Sequence, residues 1–116
     1  MFVKILKSKL HRARVTETKL HYPGSIAIDS ALMEAAGILP YEHVLIADLN
    51  NGNRLETYVV PAEAGSGQII VLGAAAQLIK QKDIVIILSF GLLTPEEAKE
   101  FKPKIVVLDE NNNITN

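Results

Sequence analysis

The chain contains no cysteine. Disulfides, thiol nucleophiles and cysteine-ligated zinc are therefore excluded, and the composition fits a cytoplasmic protein. Charge of one sign is also lacking: 12 Lys and Arg stand against 13 Asp and Glu, a formal net charge of −1. Nothing in that balance drives binding to a phosphate backbone, so no nucleic-acid partner is expected. The longest nearly apolar run, Ile84 to Leu93, is far too short to span a bilayer, so no membrane partner is expected either. Met1 to Lys7 lacks the long apolar core and small-residue cleavage site of a signal peptide. His11, His21 and His43 show no close metal-ligand spacing, so no metal is expected, and there is no glycine-rich nucleotide loop. Linkers and internal repeats are absent.

What is present is a globular balance. The 116 residues are 48% hydrophobic and 22% charged, enough for one domain with a real core. Phe2 to Glu17 favours strand, with a break near Ser8; alternation puts His11, Ala13 and Val15 on one face and Arg12 and Arg14 on the other. Ser25 to Ile28 reads as strand, Asp29 or Ser30 as the cap of a helix from Ala31 to Ala36, and Gly37 as its stop. His43 to Leu49 and Arg54 to Val60 are strands joined by Asn50-Asn51-Gly52-Asn53, whose Asn-Gly pair supplies positive φ angles for a tight hairpin. Gln68 to Leu72 is strand, and Gly73 opens a short helix ending near Ile79. Ile84 to Phe90 predicts a strand buried on both faces. Thr94-Pro95-Glu96-Glu97 is a helix start, with a cap, a first-position proline and an acid three residues on. Lys104 to Leu108 is a last strand, and the polar Asp109 to Asn116 is expected to fray. About six to eight short strands with two or three helices predict a mainly β fold closed into a small barrel, because closure removes exposed strand edges.

Gly24-Ser25 by itself reads as a turn. Its neighbours change that reading. Lys9-Leu-His-Arg-Ala-Arg-Val-Thr16 precedes His21-Tyr-Pro-Gly-Ser25, and Asn51-Gly-Asn-Arg-Leu-Glu-Thr-Tyr58 and Gly73-Ala-Ala-Ala76 follow. From about Lys9 to about Phe90 this set resembles the bacterial aspartate 1-decarboxylases, a family of self-cleaving, pyruvoyl-dependent enzymes. The resemblance implies a six-stranded double-psi β barrel, and a homotetramer with its sites at subunit interfaces. It also implies one domain, residues 1–116, cut between Gly24 and Ser25 into a small chain of residues 1–24 and a large chain of residues 25–116. Whether a maturation helper takes part is left open.

The chemistry of that bond is specific. The Ser25 hydroxyl can attack the Gly24 carbonyl, turning the amide into an ester. Elimination across Ser25 then frees the Gly24 carboxylate, and hydrolysis of the resulting dehydroalanine leaves a pyruvoyl group. The step calls for a permissive backbone at Gly24, an oxyanion donor and a path for protons. A pyruvoyl group forms a Schiff base with an amino acid and accepts the electrons left as carbon dioxide departs, doing the work of PLP with no PLP bound.

The resemblance assigns Thr57 to cleavage, with Gly24 and Ser25, and Tyr58 to the protonation that follows decarboxylation. It assigns Lys9, His11, Tyr22, Arg54, Thr57, Gly73, Ala74 and Ala75 to substrate binding. With L-aspartate as substrate, Arg54 and Lys9 are expected to grip the retained side-chain carboxylate. A cation on the departing carboxylate would stabilise the ground state instead. By parity Arg54 and Tyr58 share a strand face and Thr57 points the other way, an arrangement easier to use at a junction between subunits, although a twist or bulge near residue 57 would also reconcile the three. One residue departs from the family pattern: Leu72 stands where an Asn is common. The function expected is decarboxylation of L-aspartate to β-alanine for pantothenate supply. Two other readings compete: a non-catalytic oligomeric double-psi barrel that only binds, and a pyruvoyl decarboxylase for another amino acid. Arg54 and Lys9 favour an acidic side chain.

Overall fold

The computed structural model describes Met1–Asn116. In chain order the elements are β1 (Val3–Arg14), β2 (Glu17–Lys19), β3 (Ser25–Asp29), α1 (Ser30–Ala36), β4 (His43–Asp48) and β5 (Arg54–Ala62). They continue with β6 (Ile69–Leu72), a 3-10 turn (Gly73–Gln77), β7 (Ile84–Leu93), α2 (Pro95–Glu100) and β8 (Lys104–Val107). The strands form one eight-stranded mixed sheet in the order β2-β6-β3-β5-β4-β7-β1-β8. Having left β3 through α1, the chain forms β4 and then returns to insert β5 between them, parallel to β3 and antiparallel to β4. The fold is mainly β, as the sequence predicts, and accommodates a small double-psi barrel.

Alternation explains how the sheet closes on one core. Leu55, Ile46, Ile87, Leu10 and Val106 stand in register across β5, β4, β7, β1 and β8. All five belong to or pack against a cluster of 19 buried hydrophobic residues. Burying one such side chain is worth roughly 1.5–3 kcal/mol, so this row outweighs any single polar contact in the sheet. The neighbouring row, Glu56, Leu45, Leu88, Lys9 and Ile105, lies on the opposite, outer face. Caps follow local chemistry. The Asp29 carboxylate accepts from the Ala31 N–H at 2.9 Å, Gly37 ends α1 at φ 72°, and Thr94 and Glu97 form a complete capping box on α2.

Five expectations change. The break near Ser8 is a bulge within a continuous β1, and a second bulge sets His11 and Arg12 together opposite Ile86, with Arg12 at φ 66°. That extra residue resets the alternation, so Leu10, not His11, shares the buried face with Ala13 and Val15. In the β4–β5 hairpin only Gly52 adopts positive φ, at 79°, and Asn51 does not. Strand β7 buries Val85, Ile87 and Ser89, while Ile84, Ile86 and Leu88 on its outer face are only half-buried. The tail is not frayed. The buried Asn112 side chain accepts from the Arg14 N–H and donates to the Arg14 and Gly67 carbonyls at 2.8–2.9 Å.

Candidate active site

Ser25 is the first residue of β3, all five residues of which are buried, and it stands in register with Leu72 of β6. Gly24, just outside the strand, is exposed. Gly73 follows Leu72 at φ +77° and packs directly beneath Gly24. A methyl group on Gly73 would lie 2.6 Å from Gly24 Cα and 2.9 Å from both Gly24 N and the Tyr22 carbonyl oxygen. Glycine is therefore required at 73 by both conformation and space. Gly24 differs: it is not in the left-handed region, and a methyl there would meet nothing nearer than the Leu72 carbonyl oxygen at 4.0 Å. In the intact chain the demand for a permissive backbone falls on Gly73 rather than on Gly24.

A cavity of about 290 Å³ opens beside this contact, lined by Gly24, Thr57, Leu72, Ala74 and Ala75 together with Leu55, Glu56 and Leu78. On β5, Leu55, Thr57 and Val59 form the more buried side and Arg54, Glu56 and Tyr58 the exposed one, and the open cavity is lined by Glu56 as well as by Thr57. Leu55 was open to inference, being two residues from Thr57 on the same strand face. Leu78 has no such signal. It is drawn in by Asn51 and Asn53 of the hairpin, whose side-chain amides donate to its carbonyl at 3.1 and 2.9 Å. Apart from Thr57 and Glu56, the side chains lining the cavity are apolar.

The remaining candidates lie outside this cavity. Arg54 and Tyr58 are exposed on the outer face of β5. Lys9 lies on the outer face of β1, in the row of Leu88 and Leu45. His11 is close to Lys9 and Arg12. Its burial first, and then those two positive charges, lower the pKa of its imidazole below the ordinary value. Its Nδ1 is buried without a hydrogen-bond partner. Tyr22 is exposed, with the Lys19 ammonium 4.8 Å from its ring centre. One chain thus gathers Gly24, Ser25, Thr57, Gly73, Ala74 and Ala75, and presents Lys9, Arg54 and Tyr58 on its outer surface.

Residues 1–115 match the family model for aspartate decarboxylase. The chain belongs to the aspartate decarboxylase family. It is 55% identical over 116 residues to an aspartate 1-decarboxylase of Acetivibrio thermocellus, an alignment covering 100% of this chain and 92% of that protein. Identity is 55% over 114 residues to the enzyme of that name from Listeria monocytogenes, covering 98% of this chain and 90% of the relative. To that of Caldicellulosiruptor saccharolyticus it is 56% over 114 residues, covering 98% and 89%.

The aspartate decarboxylase family generally implies a pyruvoyl group, and the residues around Gly24 fit one. Ser25 carries a hydroxyl of the kind from which such a group could form, and the bare Gly73 leaves backbone rather than side chain against Gly24. The apolar walls suit a neutral ketone. No cluster of three or more His, Asp or Glu side chains gathers anywhere in the chain, and no helix is long and apolar enough to cross a membrane.

Proposed function

We propose that this chain cleaves itself between Gly24 and Ser25, and that the processed protein decarboxylates L-aspartate to β-alanine and carbon dioxide through a pyruvoyl group formed from Ser25. Family membership and 55% identity over the whole chain favour this reading over a barrel that only binds. The observation that carries it is the position of Gly24 on the wall of the cavity that Thr57 also lines. Cleavage balances without an outside reagent other than water. The Ser25 Oγ–Gly24 carbonyl bond forms as the Gly24–Ser25 amide breaks. Elimination then removes the Ser25 Cα proton and breaks the Ser25 Cβ–Oγ bond, releasing the Gly24 carboxylate and leaving a dehydroalanine, and its hydrolysis expels ammonia and leaves the ketone. Thr57 serves as hydrogen-bond donor and proton relay for these steps.

In turnover, the pyruvoyl group supplies a ketone to take up the substrate amine and a sink for the electron pair that carbon dioxide leaves behind. The other roles belong to side chains and backbone. Arg54, with Lys9, holds the retained carboxylate as a forked, permanently charged partner. The backbone of Gly73, Ala74 and Ala75 orients the substrate, and His11 and Tyr22 complete its surroundings. The departing carboxylate faces the apolar walls, where no cation opposes its conversion to neutral carbon dioxide. Tyr58 then delivers a proton to the carbon that carbon dioxide has left.

Arg54 and Tyr58 are exposed and do not line the cavity that Thr57 lines, which favours a site that draws on two copies of the chain. The outer face supports that arrangement: Ile86 and Leu88 are half-buried there and Ile105 is exposed. We assign a homotetramer with its sites at subunit interfaces, acting in the cytoplasm to supply β-alanine for pantothenate. The test is β-alanine release by fully cleaved protein, with Tyr58→Phe in parallel. Tyr58→Phe should lose roughly 10²–10⁴-fold in turnover, the range for a missing general acid. No β-alanine from cleaved wild-type protein overturns the activity, whereas full turnover by Tyr58→Phe removes only the role of that tyrosine.

A further inference from the structure

Leu39-Pro40-Tyr41-Glu42 forms a tight turn. The Glu42 N–H donates to the Leu39 carbonyl at 3.1 Å, Pro40 occupies the second position, and Tyr41 occupies the third at φ 69°. This is the pattern of a type II turn, whose third position ordinarily holds glycine or asparagine. A tyrosine there is strained, and such strain persists only where the surroundings over-determine it. Here they do. The Tyr41 N–H donates to the Val59 carbonyl at 2.7 Å, and the Val59 N–H donates to the Glu42 carbonyl at 3.1 Å. The Glu42 carboxylate accepts from the Leu39 N–H at 3.0 Å and is gripped by Lys7 Nζ at 2.8 Å on both oxygens. Both backbone bonds fall on Val59, the residue after Tyr58. The Tyr41 ring consequently lies beside the Tyr58 ring, centre to centre 6.3 Å and tilted 36°. That is within the range of attractive aromatic pairs.

Tyr41 gains little for the core from this, since the residue is 76% exposed. The strained residue instead sets its ring beside a second, partly exposed ring. We infer that Tyr41 is a positioning residue for Tyr58, holding the phenol in the one orientation from which it can protonate the correct carbon. The inference rests on the proposed role of Tyr58. A mis-set donor has a defined chemical consequence. Protonation at the wrong carbon leaves the substrate nitrogen on the protein as an alanine end and releases the substrate skeleton as an aldehyde.

The experiment compares Tyr41→Gly, Tyr41→Asn and Tyr41→Phe, with Tyr58→Phe as reference. Glycine and asparagine suit the turn, so both variants should fold with unchanged or higher thermal stability. Turnover by cleaved Tyr41→Gly should nevertheless fall about tenfold to a hundredfold with KM little changed, as expected for lost orientation. By mass, the large chain ending in alanine should accumulate several times faster per β-alanine formed. Fluorine NMR of fluorotyrosine-labelled, uncleaved Ser25→Ala protein gives a readout free of catalysis. Only three tyrosines are present, and the Tyr58 resonance should shift when Tyr41 is changed to Gly. Tyr41→Phe keeps the ring and should restore all three readouts. A Tyr41→Gly protein that matches wild type in turnover and alanine formation overturns the inference, as does a reduced turnover that Tyr41→Phe fails to rescue. Wild-type turnover by Tyr58→Phe would instead sink the reading of Tyr58, and the two failures are told apart in the same assay.

Discussion

Gly73 lies so tightly beneath Gly24 that a methyl group on it would sit 2.6 Å from Gly24 Cα. The contact joins the residue before the proposed cleavage point to the first residue of the 3-10 turn that walls the cavity. Gly73→Ala must therefore move the backbone of residues 22–24 as well as adopt an unfavourable φ of +77°. The expected cost is on the order of 2–4 kcal/mol. Urea denaturation should show a lower midpoint, and denaturing mass spectrometry should show cleavage slowed or absent in whatever protein folds. Gly24→Ala, with open space around it, should fold normally, which makes it the control.

Self-cleavage is tested most directly by mass. Purified protein should give fragments of residues 1–24 and 25–116, the larger beginning with a pyruvoyl group rather than serine. Ser25→Ala lacks the attacking hydroxyl and should stay whole after prolonged warming. A wild-type chain that stays whole even with a maturation helper supplied would favour the barrel that only binds.

Arg54 is exposed at the start of β5 and contributes no core volume. Arg54→Ala should therefore keep its Tm within a few degrees while losing the partner of the retained carboxylate. In verified cleaved protein, kcat/KM for aspartate should fall at least about 10²-fold, as expected when a charge-assisted pair that orients substrate is lost. Near-normal kcat/KM would remove Arg54 from the site.

A pH effect on stability should arise away from the cavity. Asp48 is 3% exposed, and burial first, then the adjacent Asp83 carboxylate, push its pKa from 3.8 up to about 6. The folded protein thus holds a proton on Asp48 that the unfolded chain releases above pH 3.8. The resulting stabilisation is fully present below that value and is lost as pH rises through about 6. Thermal melts should show Tm falling by several degrees across this interval. Asp48→Asn keeps an oxygen for the Asn50 N–H, which Asp48 now binds at 2.8 Å, and cannot ionise. It should flatten the profile and be the more stable protein at pH 7. An unchanged slope would place the titration elsewhere.

Much of this molecule is written in short-range chemistry. The Asp29 cap, the Gly37 stop and the Thr94–Glu97 capping box each depend on residues within a turn of one another, so the sequence alone specifies them. The outward placement of Arg54 and Tyr58 against the inward Thr57 follows equally from the period of a strand. Other features depend on residues far apart in the chain. Alternation failed at His11 because a bulge opposite Ile86 inserts one residue, and the cause lies in the partner strand. The tail looked frayed because its composition is polar, yet Asn112 is buried through bonds to Arg14 and Gly67. Leu78 enters the cavity wall only because the β4–β5 hairpin reaches its carbonyl. The sequence by itself therefore determined the family and the types of most elements, since each rests on a motif or on local propensity. Tertiary structure alone decided that Gly73 rather than Gly24 bears the steric demand, and that Tyr41 lies beside Tyr58. Such contacts are set by how the sheet closes, a cooperative outcome of the whole core that no window of sequence contains.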